Sequence, residues 1–136
     1  MMKYPIGIQT FSNIIQDGYV YVDKTDMVYS LANSGKIFFL SRPRRFGKSL
    51  LISTLKSYFL GHKELFKGLK IDALEKEWNV YPVFHLSFGT SNFTNLGTLE
   101  AVLLDFVEGL ERIYGKTTNS DDCAIRFKHV IKAAHD

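Results

Sequence analysis

The apolar run Ile37-Phe38-Phe39-Leu40 is followed at once by Ser41-Arg42-Pro43-Arg44-Arg45-Phe46-Gly47-Lys48-Ser49, and then by Leu50, Leu51, Leu55, Tyr58 and Phe59 at helical spacing before Gly61. This order constrains the chain more than any other feature. A continuous apolar run bounded by turn chemistry reads as a central strand covered on both faces, as in a parallel sheet. The loop leads from that strand into a helix start. Three of the five arginines, Arg42, Arg44 and Arg45, lie in it with Lys48 close behind, which marks a local anion site.

The remaining pattern alternates strand-like and helical segments. Tyr19-Val20-Tyr21-Val22 is aromatic and β-branched and predicts a short strand. Asp23 then fits a helix N-cap, with Asp26 in an acidic first turn ahead of Met27, Val28 and Leu31. That helix is expected to end at Asn33-Ser34-Gly35, where Gly35 would take the left-handed cap. Residues 63–66 and 72–78 read as short helical pieces with sparse apolar content. Pro82-Val83-Phe84-His85-Leu86-Ser87-Phe88 is a second strand-like run, begun by a proline as strands tolerate. Leu99, Val102, Leu103, Phe106, Val107 and Leu110 form the strongest helical stripe, which runs to about Tyr114 before Gly115. Asp121 or Ser120 is expected to cap a last helix carrying Ile125, Val130 and Ile131.

Composition places limits on function. With 136 residues, 46% hydrophobic and 23% charged, the chain suits one domain around one core, and residues 1–136 read as a single continuous domain. No apolar stretch approaches the ~20 residues needed to cross a bilayer, so no membrane partner is expected. No apolar segment follows Lys3 as a secretory signal would require, and a cytoplasmic location is expected. Cys123 stands alone and excludes an intrachain disulfide. A net charge of +3 is too small to imply nucleic-acid binding by itself.

The basic loop carries the chemistry. Residues 42–49 match the phosphate-binding (Walker A) pattern GxxxxGK[ST] at Gly47, Lys48 and Ser49, and depart from it at the first position, where Arg42 replaces glycine. Amides at a helix N-terminus and the helix dipole bind phosphate oxygens, Lys48 reaches the terminal phosphates, and the Ser49 hydroxyl ligates Mg²⁺. Gly47 lets the backbone approach closely. A Gly-Lys-Ser tripeptide also occurs by chance in turns, but the apolar run before it and the helical spacing after it supply the context a phosphate loop needs. Arg44 and Arg45 either hold phosphate oxygens or face solvent.

Four motifs in order, Tyr4-Pro5-Ile6-Gly7-Ile8-Gln9-Thr10-Phe11, Tyr21-Val22-Asp23-Lys24-Thr25, the stretch from Leu40 to Ser49, and Tyr81-Pro82-Val83-Phe84-His85-Leu86, resemble the N-terminal part of the AAA-ATPase-like family. These are bacterial P-loop ATPases often joined to a C-terminal PD-(D/E)XK nuclease-like domain. The resemblance covers nearly the whole chain. It implies an additional-strand P-loop fold with nucleotide at residues 42–49, where arginine in place of the first glycine is usual. It also implies an acidic strand beyond the last helix, and contact with nucleic acid through a C-terminal domain outside this sequence.

A P-loop ATPase needs an apolar strand ending in an acid that holds Mg²⁺. Val20-Tyr21-Val22-Asp23 precedes the loop, and Asp23 is better explained as a cap. Val102-Leu103-Leu104-Asp105 has helical period, which puts Asp105 on a solvated face. Val83-Phe84-His85-Leu86-Ser87 ends in serine. His85 reads as a core histidine, and His62, His129 and His135 lack metal-ligand spacing. Trp78, with Tyr81 and Phe84, reads as core or domain contact.

The sequence therefore predicts an α/β P-loop NTPase-like domain, a parallel sheet flanked by helices and incomplete at three candidate strands. It is expected to bind ATP and Mg²⁺ through Arg44, Arg45, Phe46, Gly47, Lys48 and Ser49, with Ser49 on the metal. Hydrolysis is not expected of this chain without the acidic strand. The alternative is a non-catalytic module that holds the phosphate of a nucleotide or nucleic acid in the same loop.

Overall fold

Apolar residues three and four positions apart generate helices along much of the described chain. In a computed structural model, which describes residues 1–89 and 94–136, these are α1 (Phe11–Gln16), α2 (Thr25–Ser34), α3 (Lys48–Phe59), a 3₁₀ turn at Lys63–Phe66, α4 (Lys70–Leu74), α5 (Leu96–Tyr114) and α6 (Cys123–His135). They fall into two compact units, Met1–Val83 and Phe84–Asp136. Among the described residues no helix is long and apolar enough to cross a membrane.

The expected parallel sheet is not there. The described residues contain no strand, and their only bridge is an isolated parallel one between Lys3 and Tyr19, where the Val20 amide donates to the Lys3 carbonyl at 2.8 Å. Strand character is conditional: an extended apolar segment becomes a strand only when another backbone lies alongside to complete its ladder. Residues 37–40 and 83–88 have the composition but form no ladder among the described residues. Ile37 and Phe39 are each 93% exposed. An α/β sheet fold is therefore replaced by two helical units.

The first unit is built around aromatic packing. Phe11, Val28, Leu65, Phe66 and Ile71 form its buried cluster, with Leu50, Leu51, Leu55 and Tyr58 from α3 against it. The 3₁₀ turn places Leu65 and Phe66 at the centre, so the apolar-poor stretch 63–66 contributes a fully buried ring, as Phe11 does. The sequence did not signal α1. Its first amide, Phe11 N, donates to the Ser53 hydroxyl of α3 at 2.9 Å, so α3 supplies the missing cap.

α2 spans the expected residues with different ends. Lys24 is the residue before the helix, and Asp23 acts from one position further back, its Oδ1 accepting from the Thr25 amide and hydroxyl. Gly35 has φ 178°, extended backbone rather than a left-handed cap. The piece expected at 72–78 lies earlier, at Lys70–Leu74.

In the second unit α5 and α6 pack through Val107, Leu110 and Val130, with Phe84, Phe106 and Phe127 around them. Asn95 caps α5 by accepting from the Thr98 amide. Asp122, one position past the expected Asp121, caps α6 by accepting from the Ile125 amide, and the Ser120 hydroxyl accepts from the Asp122 amide. Arg126 grips Glu111 with two parallel bonds, Nε to Oε1 at 3.0 Å and Nη2 to Oε2 at 2.6 Å, and lies 3.7 Å from Glu108.

Arg126 and Glu111 are covered by neighbouring side chains, at 8% and 7% exposure, but a two-helix unit is thin and water screens the pair from close by. The bonds from Arg126 hold the Glu111 carboxyl below the usual carboxylate range, against the opposing effect of burial. Its folded pKa is thus below its unfolded value, so the contribution is complete above the unfolded pKa of about 4.3 and is lost as pH falls through the folded value. Acid unfolding followed by far-UV circular dichroism should be steeper in the parent than in Glu111→Gln. Equal acid slopes would show that the pair adds nothing.

Candidate functional site

The loop 42–49 is exposed throughout and delivers its last two residues into the start of α3. Gly47 is the residue before the helix, with φ 79° and ψ 20°, a left-handed conformation that glycine adopts without steric cost. Arg45 has φ 67°, in the region that a side chain with a Cβ disfavours by roughly 1 kcal/mol. Two left-handed residues in three positions turn the chain sharply into α3.

The first helical bond runs from Leu51 N to Gly47 O at 2.9 Å, so the amides of Lys48, Ser49 and Leu50 have no partner within the helix. No side chain caps them and no acidic residue lies in the first turn. An anion is therefore met by three amides and the positive end of the α3 dipole, with no competing carboxylate on that turn. Lys48 Nζ donates to the Arg42 carbonyl at 2.8 Å, a bond that closes the loop on itself. The donor set suits a phosphate, and the Ser49 hydroxyl sits on the helical turn that meets it.

Arg44, Arg45, Phe46, Gly47, Lys48 and Ser49 thus lie together in one exposed turn, with Phe46 67% exposed. The preceding segment 37–40 belongs to no sheet. The Lys48 contact with Arg42 had no signal in the sequence beyond proximity.

The other candidates separate clearly. Asp23 is occupied: Oδ1 serves Thr25, and Oδ2 accepts from the Lys70 amide at 2.8 Å. Burial disfavours its charge, but the Thr25 and Lys70 hydrogen bonds outweigh this and hold its carboxyl below the usual range. Asp105 is exposed on α5. His85 is exposed rather than in a core, which corrects the core reading. His129 meets the Thr117 hydroxyl at 3.2 Å. Among the described residues no group of three or more His, Cys, Asp or Glu side chains is arranged to hold a metal. Trp78 packs on Phe66 and Tyr58, ring centres 5.3 and 5.9 Å away, as a core contact should.

Comparison with known proteins adds sequence relationships. A protein of Azotobacter chroococcum mcd 1, described as "Uncharacterized protein in vnfD 5'region", is 39% identical over 134 residues, which are 98% of this chain and 26% of that relative. The chain thus spans about a quarter of the length of the curated relative it matches. No solved structure matches. The AAA-ATPase-like family, described as "Predicted AAA-ATPase", matches residues 5–136. The motifs running from Tyr4 through the Gly47-Lys48-Ser49 turn to Leu86 fall almost wholly within that match, and the chain belongs to the AAA-ATPase-like family.

Proposed function

We propose that the loop 42–49 binds the phosphates of ATP together with Mg²⁺. The observation that carries this reading is the start of α3, where Gly47 turns the chain and three amides without helical partners stand beside Lys48. The Lys48 ammonium would leave the Arg42 carbonyl for the terminal phosphates, and the Ser49 hydroxyl would face the metal. Bound Mg²⁺ supplies charge neutralisation on the phosphate oxygens. Arg44 and Arg45, both exposed on the loop, add positive charge around the nucleotide. Family membership supports nucleotide use. The proposal is binding without turnover by this chain, since Asp23 is engaged by Thr25 and Lys70, and Asp105 lies on the exposed face of α5.

Calorimetry with MgATP tests it. Lys48→Ala should weaken binding by at least ~1.5 kcal/mol, the lower end for a hydrogen bond to a charged group. Arg45→Lys keeps the charge but loses the guanidinium fork, and should bind more weakly than the parent if the fork is used. Equal affinity of parent and Lys48→Ala would overturn the proposal.

The exposure of Arg42, Arg44 and Arg45 favours a second reading, a module that holds phosphates of nucleic acid without turnover. Its mark is binding to DNA that falls steeply with salt and is indifferent to nucleotide and Mg²⁺.

A further inference from the structure

A cavity of about 450 Å³ opens in the first unit at the opposite end of α3 from the phosphate loop. At 1.5 Å per residue, Tyr58 lies about 15 Å along the helix from Lys48. Tyr29 of α2, Tyr58 and Phe59 of α3, and Trp78 and Tyr81 beyond α4 give it aromatic walls. The rings are set edge to face, Tyr58 to Trp78 at 5.9 Å and 70°, Phe59 to Tyr81 at 6.0 Å and 74°. Glu75 and Glu77 line it against the single ammonium of Lys76.

From these walls, carboxylates and helix ends we infer that the cavity binds a small free organic ammonium, a quaternary or methylated amine. Aromatic faces attract cations through their quadrupole, and a desolvated cage of several rings strengthens the attraction. The Glu75 carboxylate is fixed where a cation needs it: Oε2 accepts from the Tyr58 hydroxyl, and Oε1 accepts from the Lys76 and Glu77 amides at 3.0 Å each. The Tyr58 hydroxyl and the Glu77 amide foremost hold that carboxyl below its usual range. Burial, and then the bond to Glu75, push the Tyr58 phenol up, so it remains a donor. α2 ends at this cavity, with Ala32 and Asn33 among the lining residues and no basic side chain in its last turn, so the negative end of its dipole faces the same space. An anion would meet two carboxylates and that helix end.

Trp78 carries a backbone strain. Its φ is 38°, an outlier for a bulky residue. Strain of this kind persists where the surroundings hold a side chain in place, and ligand clamps are one such setting. Here packing on Tyr58 and Phe66 holds the indole at the cavity wall against that strain.

Trp78 is the chain's one tryptophan, so its fluorescence reports on the cavity directly. Choline chloride, titrated at ionic strength matched with sodium chloride, should change that signal saturably, while the neutral isostere 3,3-dimethylbutan-1-ol should not. Glu75→Gln should raise the choline Kd about tenfold, and Glu77→Gln, at an exposed site that anchors no helix, about threefold. Lys48→Ala should leave choline binding unchanged, which separates this inference from the phosphate-loop reading. Phosphatidylcholine vesicles should leave Trp78 unchanged. No saturable change with choline, equal response to the neutral alcohol, an unaltered Kd in both glutamine variants, or a response to vesicles alone would each overturn the assignment.

Discussion

Phe66→Ala should destabilise the unit Met1–Val83 by about 3–5 kcal/mol, much of the stability of a typical small domain. The ring is fully buried, with Phe11 4.8 Å, Trp78 5.3 Å and Tyr58 6.4 Å away between ring centres. Truncation removes the apolar transfer gain and leaves a cavity lined by three other rings, which are too rigid to collapse into it. Phe66→Leu, which refills part of that space, should cost distinctly less. Urea unfolding followed by Trp78 fluorescence reads both effects, since Trp78 packs on the ring being removed. A loss below about 1 kcal/mol for Phe66→Ala would show that the cluster does not hold the unit together.

Thr25→Val should cost about 1–3 kcal/mol for each hydrogen-bonding group left unpaired, with almost no change in shape. Thr25 is fully buried. Its hydroxyl donates to Asp23 Oδ1 at 2.6 Å and accepts from the Ile71 amide at 3.0 Å, while Asp23 Oδ2 takes the neighbouring Lys70 amide. Asp23 before α2 and Thr25 at its start thus satisfy the first amides of α4, 47 and 46 positions away. Valine fills the same volume but orphans the Ile71 amide. Thermal unfolding should show the loss, and Thr25→Ser, which keeps the hydroxyl, should recover most of it. Equal stability of Val and Ser variants would mean that packing of the methyl group, not the hydroxyl, matters at this position.

Helices were legible because their signal is local. The stripe from Leu99 to Leu110 and the run from Leu50 to Phe59 each carry their own periodicity, and both became helices. Helix ends were less legible, because caps depend on side-chain reach. Asp23 works from one residue further back than expected, and Gly35 is extended. The sheet was misread for the opposite reason. Residues 37–40 carry strand composition, but a ladder belongs to two segments and composition describes one. The weight of Phe66 was hidden in a stretch with few apolar residues, since its burial comes from partners as distant as Phe11. The sharp turn into α3 was legible as a contiguous word, Gly47-Lys48-Ser49. The aromatic cavity was not, because α2, α3 and the residues after α4 assemble it across the fold.

The bond from Lys48 Nζ to the Arg42 carbonyl has a consequence for how tightly the loop can hold an anion. A free lysine gives up roughly 1.5–2 kcal/mol of rotamer freedom when it is clamped. Lys48 is already held, so much of that freedom is gone before any ligand arrives. What the ligand must supply is an exchange of one acceptor for another, a neutral carbonyl for a charged phosphate oxygen, and charged acceptors form bonds about twice as strong. If the loop binds phosphate as proposed, the exchange would gain little with a neutral acceptor and more with a charged phosphate oxygen, so the charge of the incoming acceptor would decide the affinity at this turn.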